Sequence, residues 1–371
     1  MTTAKIAMKS LLRILALAMG ITLVACTGNY KIDVKFANHD FDGKKAYLTN
    51  YDTGDTIDSV AVLEKHVCFE GDVDTAFFAR LRIEDNRLDM IVEPGEIAVE
   101  WGKEIKVSGT PLNDKFNNLV KQLDRFDREW EQIAKAWQDG SLSTEQAQQR
   151  DDNRKARLLT TLYNGFLANK DNALGQWAFI QYLVEGEFTS SQLDMLLKKV
   201  PDQYLGLERV KQAKANAEAQ GLTAVGQPFV DFEVRGSDGN VERLSHYAGD
   251  GISFTLVDFW ASWCDPCMRE IEGTLPHLYE KYNDSGLLKI VGVNVWDEPS
   301  AAIATVQRLS IPWHVMVGDH RLDLPTKLYG IQAIPYIVVI DPKGTIVLRG
   351  LNGDALIDAV EGLMAAHYVA K

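Results

Sequence analysis

Three spacings of apolar positions follow one another along this 371-residue chain. From Tyr30 to about Ser108, apolar and polar residues alternate. Lys31-Ile32-Asp33-Val34-Lys35-Phe36 puts every second side chain on one face, as a half-buried strand requires. Similar runs recur at Ala46–Leu48, Ile57–Leu63, Val67–Phe69, Ala76–Ile83, Asp89–Val92 and Ile97–Trp101. Asp42-Gly43, Thr53-Gly54, Glu70-Gly71 and Pro94-Gly95 punctuate them as turns. The pattern predicts a small antiparallel β domain over 26–109.

Near Thr110 the period changes. Leu112, Phe116, Leu119, Leu123, Phe126, Trp130, Ile133 and Trp137 recur every three or four residues, the seam of a long helix packed on another. No His or Cys interrupts this stripe, so it reads as core and not as a cofactor box. Asp139-Gly140 ends it, and a second helix is predicted from Thr144 to Lys170. Shorter helices follow at Ala173–Val184, at Ser190–Val200 behind a Thr189-x-x-Gln192 box, and at Tyr204–Gln220. Residues 110–221 are thus expected to be a helical spacer or partner surface.

From 222 to 371 strand and helix patterns alternate. Strands are predicted at Phe229–Val234, Phe254–Trp260, Leu288–Val295, Tyr336–Ile340 and Thr345–Leu348, with a short apolar stretch at Trp313–Val317. Ser237-Asp238-Gly239-Asn240 and Asp341-Pro342-Lys343-Gly344 read as hairpin turns. Helices are expected after Cys264 to about Tyr282, at Pro299–Leu309, Leu324–Tyr329 and Asp354–His367. The apolar run Phe254–Trp260 ends abruptly at Cys264, where the helix begins. A thiol there meets unpaired N–H groups and the positive end of the helix dipole, which favour its thiolate. Cys267, one turn later on the same face, is close enough to close a disulfide with it.

Composition narrows the chemistry. The formal net charge is −13, with no basic cluster, which argues against nucleic acid as a partner. Only four cysteines occur, Cys26, Cys68, Cys264 and Cys267, too few for a disulfide-stapled scaffold. Cys68 points, by alternation, away from the face shared by Val67 and Phe69. It reads as a structural thiol, with a resolving or regulatory thiol as the alternative. No motif calls for a cofactor, and His314 and His320 are too isolated to complete a metal site.

Lys5, Lys9 and Arg13 precede an apolar stretch, Ile14–Ala25, too short to span a bilayer. Leu23-Val24-Ala25-Cys26 resembles the lipobox of bacterial lipoproteins; an ordinary signal peptide with a chance cysteine is the alternative. The resemblance implies a leader over 1–25 and a lipid-modified Cys26 that anchors the protein to a membrane face.

Val257-Asp258-Phe259-Trp260-Ala261-Ser262-Trp263-Cys264-x-x-Cys267 resembles the active-site stretch of the thioredoxin superfamily. Glu270 and the strand pair from Gly226 are similar to its TlpA/ResA group of membrane-tethered members, and Ile334-Pro335 matches the family's cis-proline loop. One departure is Glu272, where that group usually has proline. The resemblance covers residues 222–371, and the β region is similar to an uncharacterised domain found ahead of such modules, through Ile57-Asp58-Ser59 and Glu93-Pro94-Gly95. It implies a multidomain α/β chain with an N-terminal antiparallel β domain, a central helical region and a C-terminal thioredoxin-like fold. The implied activity is a thiol–disulfide oxidoreductase that reduces protein disulfides in the periplasm or cell envelope and draws electrons from a membrane thiol reductant. Cys264, exposed at a helix start, would attack, Cys267 resolve, and Asp258 take the second thiol's proton from a buried site. Glu270 would be the active-site acid, while Trp263, Ile334 and Pro335 would meet the substrate. Asp265, beside the thiolate, should push the couple toward reduction. Two alternatives stand beside this: a thiol peroxidase of the related redoxin group, against which Ala261 stands where that chemistry prefers threonine, and a non-catalytic binding lipoprotein.

Overall fold

The computed structural model describes residues 28–236, 240–318 and 324–369. The leader with Cys26, most of the Ser237–Asn240 turn, and His320 lie outside the described residues. The chain divides into two compact units. One holds the described residues up to Glu187 together with Val200–Val210, and the other holds Phe188–Lys199 and the described residues from Lys211 onward.

The first unit begins with eight strands: β1 (Gly28–Phe36), β2 (Lys45–Asn50), β3 (Thr56–Ala61), β4 (His66–Val73), β5 (Phe77–Ile83), β6 (Asn86–Val92), β7 (Gly95–Trp101) and β8 (Ile105–Ser108). They form two four-stranded sheets, ordered β4-β1-β7-β8 and β3-β2-β5-β6, that share one core. Alternation supplies this core: Ile32, Val34 and Phe36 face inward from β1, and Leu81 and Ile83 from β5. The pairings are antiparallel except β1 with β7, which run parallel from Tyr30↔Gly95 to Phe36↔Trp101.

Three helices of this unit, α1 (Pro111–Gln138), α2 (Thr144–Ala168) and α3 (Ala173–Glu185), do not stand apart as a spacer. Phe78 of β5, Phe116 of α1 and Trp177 of α3 pack with ring centroids 4.9–5.4 Å apart. The Asn113 side chain is fully buried and pairs with the backbone of Ile91 as a strand would, at 2.7 and 3.0 Å. Glu93 accepts from the Leu112 and Asn113 N–H groups, which gives the free donors at the start of α1 a partner. The seam of α1 is only partly core. Phe116, Leu119 and Ile133 are buried, whereas Trp130 and Trp137 are about half exposed, at 48% and 51%. The Arg154 guanidinium lies 5.6 Å from the Trp130 ring, so part of that indole is covered by charge.

Beyond α3 come α4 (Ser190–Leu197), with the expected Thr189/Gln192 capping box, and then α5 (Asp202–Leu205) and α6 (Glu208–Leu222). The single helix expected over Tyr204–Gln220 is broken at Gly206, which caps α5.

The second unit is built on a five-stranded sheet ordered β13-β12-β11-β14-β15. Its strands are β11 (Phe254–Trp260), β12 (Leu288–Asn294), β13 (His314–Met316), β14 (Tyr336–Ile340) and β15 (Ile346–Arg349). A small ribbon, β9 (Glu233–Arg235) with β10 (Val241–Arg243), precedes it. Strands β11, β12 and β13 run parallel, while β14 and β15 are antiparallel additions. The helices are α7 (Asp265–Arg269), α8 (Leu275–Tyr282), α9 (Pro299–Leu309), α10 (Leu324–Tyr329) and α11 (Gly353–Val369). This is the expected thioredoxin-like arrangement, preceded by antiparallel sheets and a helical middle region. Residues of β11 alternate between two cores: Leu256 and Trp260 enter one, Val257 and Phe259 the other. No described helix is long and apolar enough to cross a membrane.

The last turns of α6 pack against the loop after α10. Gln220 Nε2 donates to the Gly330 carbonyl at 2.9 Å, and a Cβ on Gly330 would come within 2.4 Å of the Asn216 carbonyl oxygen. Gly330 also has φ +61°, whereas Gly353, at φ +57°, has open space around its missing Cβ. Alanine at either should lose about 1–2 kcal/mol through the left-handed backbone. Gly330→Ala should lose at least twice as much as Gly353→Ala, measured by denaturant unfolding. Equal losses would show that α6 does not press on this loop.

Candidate active site

The site forms where β11 leaves the sheet. All seven residues of β11 are buried, so the chain can turn toward solvent only beyond Trp260. Cys264 is the N-cap of α7, in extended backbone at φ −90° and ψ 95°, and its Sγ accepts the Cys267 N–H at 3.2 Å. Pro266 sits in the first turn, where its missing N–H costs nothing. Cys264 and Cys267 are joined in a disulfide, with an S–S distance of 2.06 Å. Cys264 was expected to be exposed at the helix start. It is only 4% exposed and belongs to the core cluster beneath the helix.

A residue that sequence reasoning missed holds this turn. Asp297, buried just after β12, accepts the Ser262 N–H at 2.5 Å and the Ser262 hydroxyl at 2.9 Å. It also receives the Asn294 amide at 3.0 Å and the Glu298 N–H at 2.9 Å. Asn294 in turn donates to the Trp260 carbonyl at 3.3 Å. The signal in the sequence was an acid at the carboxyl end of the strand beside β11, where open α/β sheets build their sites. Trp263 is 60% exposed, and its Nε1 donates to the Trp296 carbonyl at 2.7 Å. Its ring is therefore tethered to the same loop while most of its surface faces solvent.

Two acids lie inside. Asp258 is 1% exposed, and among the described residues neither carboxyl oxygen has a hydrogen-bond partner. Strand alternation places it on the side of Leu256 and Trp260, the side whose core includes both cysteines. Burial, and then the negative charge of Glu270, push its pKa up to about 8. Glu270 is buried, and its two oxygens accept the Gly353 N–H at 3.1 Å each, at the positive end of α11. It opens a π turn, Glu270–Thr274, in which the Leu275 N–H reaches back to the Glu270 carbonyl. Pro276 follows, and a proline ring would crowd the carbonyl four residues earlier in a regular helix. The wider turn relieves that crowding, and it forms here with Glu272 in place of a proline.

The Ile334–Pro335 peptide is cis, at the entry to β14. Ile334 packs on the cluster that contains Cys264 and Cys267. Cys68 is elsewhere, on β4 in the first unit, as a half-buried free thiol whose pKa burial raises. Its Sγ lies 3.7 Å from Glu70 Oε1. Among the described residues no group of three His, Cys, Asp or Glu could hold a metal ion.

Residues 225–349 match the AhpC/TSA family, and residues 30–116 match a domain of unknown function, DUF4369. The thiol-disulfide oxidoreductase ResA of Geobacillus thermodenitrificans is 29% identical over 123 residues, covering 33% of this chain and 67% of that protein. ResA of Halalkalibacterium halodurans is 31% identical over 137 residues, covering 34% of this chain and 69% of that one. The crystal structure of the thioredoxin domain of a thiol-disulfide oxidoreductase from Bacteroides vulgatus is 27% identical, and covers 38% of this chain and 97% of that domain at a TM-score of 0.34.

The raised pKa of Asp258 has a sign that stability can test. An acid whose folded pKa lies above its unfolded value stabilises the fold below the unfolded pKa and loses that contribution as pH rises through the folded one. In the disulfide form, Asp258→Asn should therefore gain stability relative to wild type between about pH 4 and pH 8. The slope is at most about 1.4 kcal/mol per pH unit, and it flattens above. Denaturant unfolding of both proteins across that range would measure it. A difference independent of pH would mean that Asp258 is ionised and solvated in the fold.

Proposed function

Through its C-terminal part the chain belongs to the ResA thiol–disulfide oxidoreductases, and from that premise we propose that it is a membrane-tethered reductant of protein disulfides in the bacterial envelope. The observation that carries the reading is the Cys264–Cys267 pair at a helix N-cap, with an unpartnered carboxyl near neutrality on the same side of the central strand.

In the dithiol form the Cys264 thiolate attacks one sulfur of a substrate disulfide. A mixed disulfide forms and the first substrate thiolate leaves. Cys267 then gives its proton to Asp258 in its ionised form, the minor form at pH 7 for a pKa of about 8, and attacks the Cys264 sulfur. The second substrate thiolate leaves, and the enzyme disulfide closes. The substrate has gained two electrons and the enzyme has lost two, which a membrane thiol reductant returns. A carboxyl held near neutrality by burial suits this proton transfer, since its proton affinity comes within reach of a thiol's. Glu270, fixed on the Gly353 N–H, raises the proton affinity of Asp258 and keeps the proton in the interior. The exposed ring of Trp263, with Ile334 and Pro335, offers a surface for an extended substrate segment.

The AhpC/TSA match keeps one other reading in play, a thiol peroxidase, and Ala261 opposes it. Insulin reduction beside peroxide consumption separates the two. Wild type should accelerate insulin reduction, Cys264→Ser should fall to background, and Cys267→Ser should accumulate mixed disulfides. Rapid peroxide turnover with no insulin reduction would replace the assignment.

Charge at the mouth of the site sets the expected potential. Asp265 is exposed, immediately after Cys264, and it opposes the thiolate that the helix start favours by about 0.3–1 kcal/mol. The couple should lie near the thioredoxin end, about −270 mV, and Asp265→His should move it in the oxidising direction. Equilibration in dithiothreitol or glutathione buffers measures both, and a wild-type value near about −120 mV would overturn the reductant role.

The tether rests on Leu23-Val24-Ala25-Cys26. Cys26→Ala should convert a membrane-associated, acylated protein into a mis-cleaved or uncleaved precursor without an acyl group. Continued acylation of that variant would refute the anchor.

A further inference from the structure

The outer face of the β3-β2-β5-β6 sheet concentrates positive charge that the dithiol chemistry does not use. In the strand register, Tyr47, Arg82 and Arg87 lie side by side across β2, β5 and β6, and Thr49, Arg80 and Asp89 form the next row. Arg82 and Arg87 therefore sit directly opposite each other, an arrangement in which like charges repel. Among the described residues neither has a carboxylate within ion-pair reach, although the chain carries 52 acidic residues against 39 basic ones. Arg209, at the start of α6, joins them. Arg80, Arg82, Arg87 and Arg209, with Thr49 and Tyr51, line one cavity of about 250 Å³.

Two of these guanidinium groups are already held in place. Arg80 forks onto Asp89 at 2.6 and 2.9 Å and lies 5.0 Å from the Tyr51 ring. Arg209 donates to the Tyr51 carbonyl at 2.8 Å, with its guanidinium 4.2 Å from that ring. Asp52, the other acid close by, is engaged by the Glu208 and Arg209 N–H groups at 2.8 and 2.9 Å. Four guanidinium groups against the carboxylates of Asp89 and Asp52 leave a surplus of positive charge in a partly enclosed space.

We propose that this cavity binds a ligand through a phosphate group. Guanidinium forks match phosphate oxygens in pairs, and the surplus charge suits a group that carries more than one negative charge. The cavity is larger than one phosphate needs, which leaves room for a small organic part. Ordering of Arg80 and Arg209 before binding lowers the entropy lost on capture. A soluble phosphorylated molecule and a phospholipid headgroup share this chemistry, and the experiment below separates them. The inference stands apart from the redox assignment.

The test uses the full-length protein in detergent, dialysed at physiological salt against inorganic phosphate and glycerol 3-phosphate. Saturable binding should weaken at least tenfold in Arg82→Gln/Arg87→Gln and stay unchanged in Lys31→Gln/Lys35→Gln, which alters the outer face of the other sheet. In the absence of ligand, the arginine variant should melt no lower than wild type, because a repulsive pair has been removed. Should that variant fail to fold, Arg82→Lys/Arg87→Lys keeps the charge, loses the forks and should still bind at least threefold more weakly. Flotation with phosphatidylcholine vesicles, with and without phosphatidylglycerol, identifies the source, since a lipid anchor contributes equally to both. Arginine-dependent preference for phosphatidylglycerol assigns a headgroup, and binding of glycerol 3-phosphate without that preference assigns a soluble ligand. Binding of equal strength in wild type and the arginine variants, or no saturable binding to any probe, would overturn the proposal.

Discussion

Enclosure of β11 between β12 and β14, with a core against each face, sets the terms for everything built at its end. A strand with no exposed residue cannot hydrate a carboxyl, so Asp258 holds a proton that a surface acid would release. The same enclosure lets the chain reach solvent only past Trp260, so the turn that carries the cysteines is short and must be fixed from its neighbour. Asp297 does this with a buried carboxylate that engages the backbone N–H and hydroxyl of Ser262. Desolvation thus meets two acids near the end of β11: Asp258 is kept neutral by burial and the charge of Glu270, while Asp297 accepts from Ser262, Asn294 and Glu298.

The helix that follows shows how local conflict is resolved. Pro276 cannot continue an ordinary α-helical ladder, and Glu270 must turn inward to meet the Gly353 N–H. A π turn between them meets both demands, since it widens the backbone where the proline ring would press and rotates Glu270 off the solvent face.

Much of this could be read from the sequence where the signal is local. Alternation gave β1 to β7, and the apolar run into Cys-x-x-Cys gave β11 and the helix after it, while the burial of Asp258 came from the family resemblance. Propositions about what touches what were less accessible. The heptad-like stripe of α1 marks a face but not what covers it, so Trp130 and Trp137 read as core while they lie half in solvent. Cys264 read as exposed because it starts a helix, yet it is buried in a core cluster whose members come from as far along the chain as Met364. Asp297 and Asn113 act through hydrogen bonds to distant backbone, which no spacing encodes. The parallel pairing of β1 with β7 was equally hidden, since adjacent short strands suggest hairpins.

That parallel pair has a consequence in time. β1 occupies an interior place in its sheet, hydrogen-bonded to β4 on one side and β7 on the other. During synthesis Gly28–Phe36 must therefore wait for Gly95–Trp101 before its second edge is closed. Until Gly95–Trp101 has emerged, Tyr30–Phe36 presents a free row of N–H and C=O groups, open to any other extended chain. Closing so long a loop is slow compared with forming a hairpin. A chaperone that shields nascent strands would matter most during that interval, and sequence changes that lengthen it would appear as aggregation during biogenesis while the finished protein remained stable.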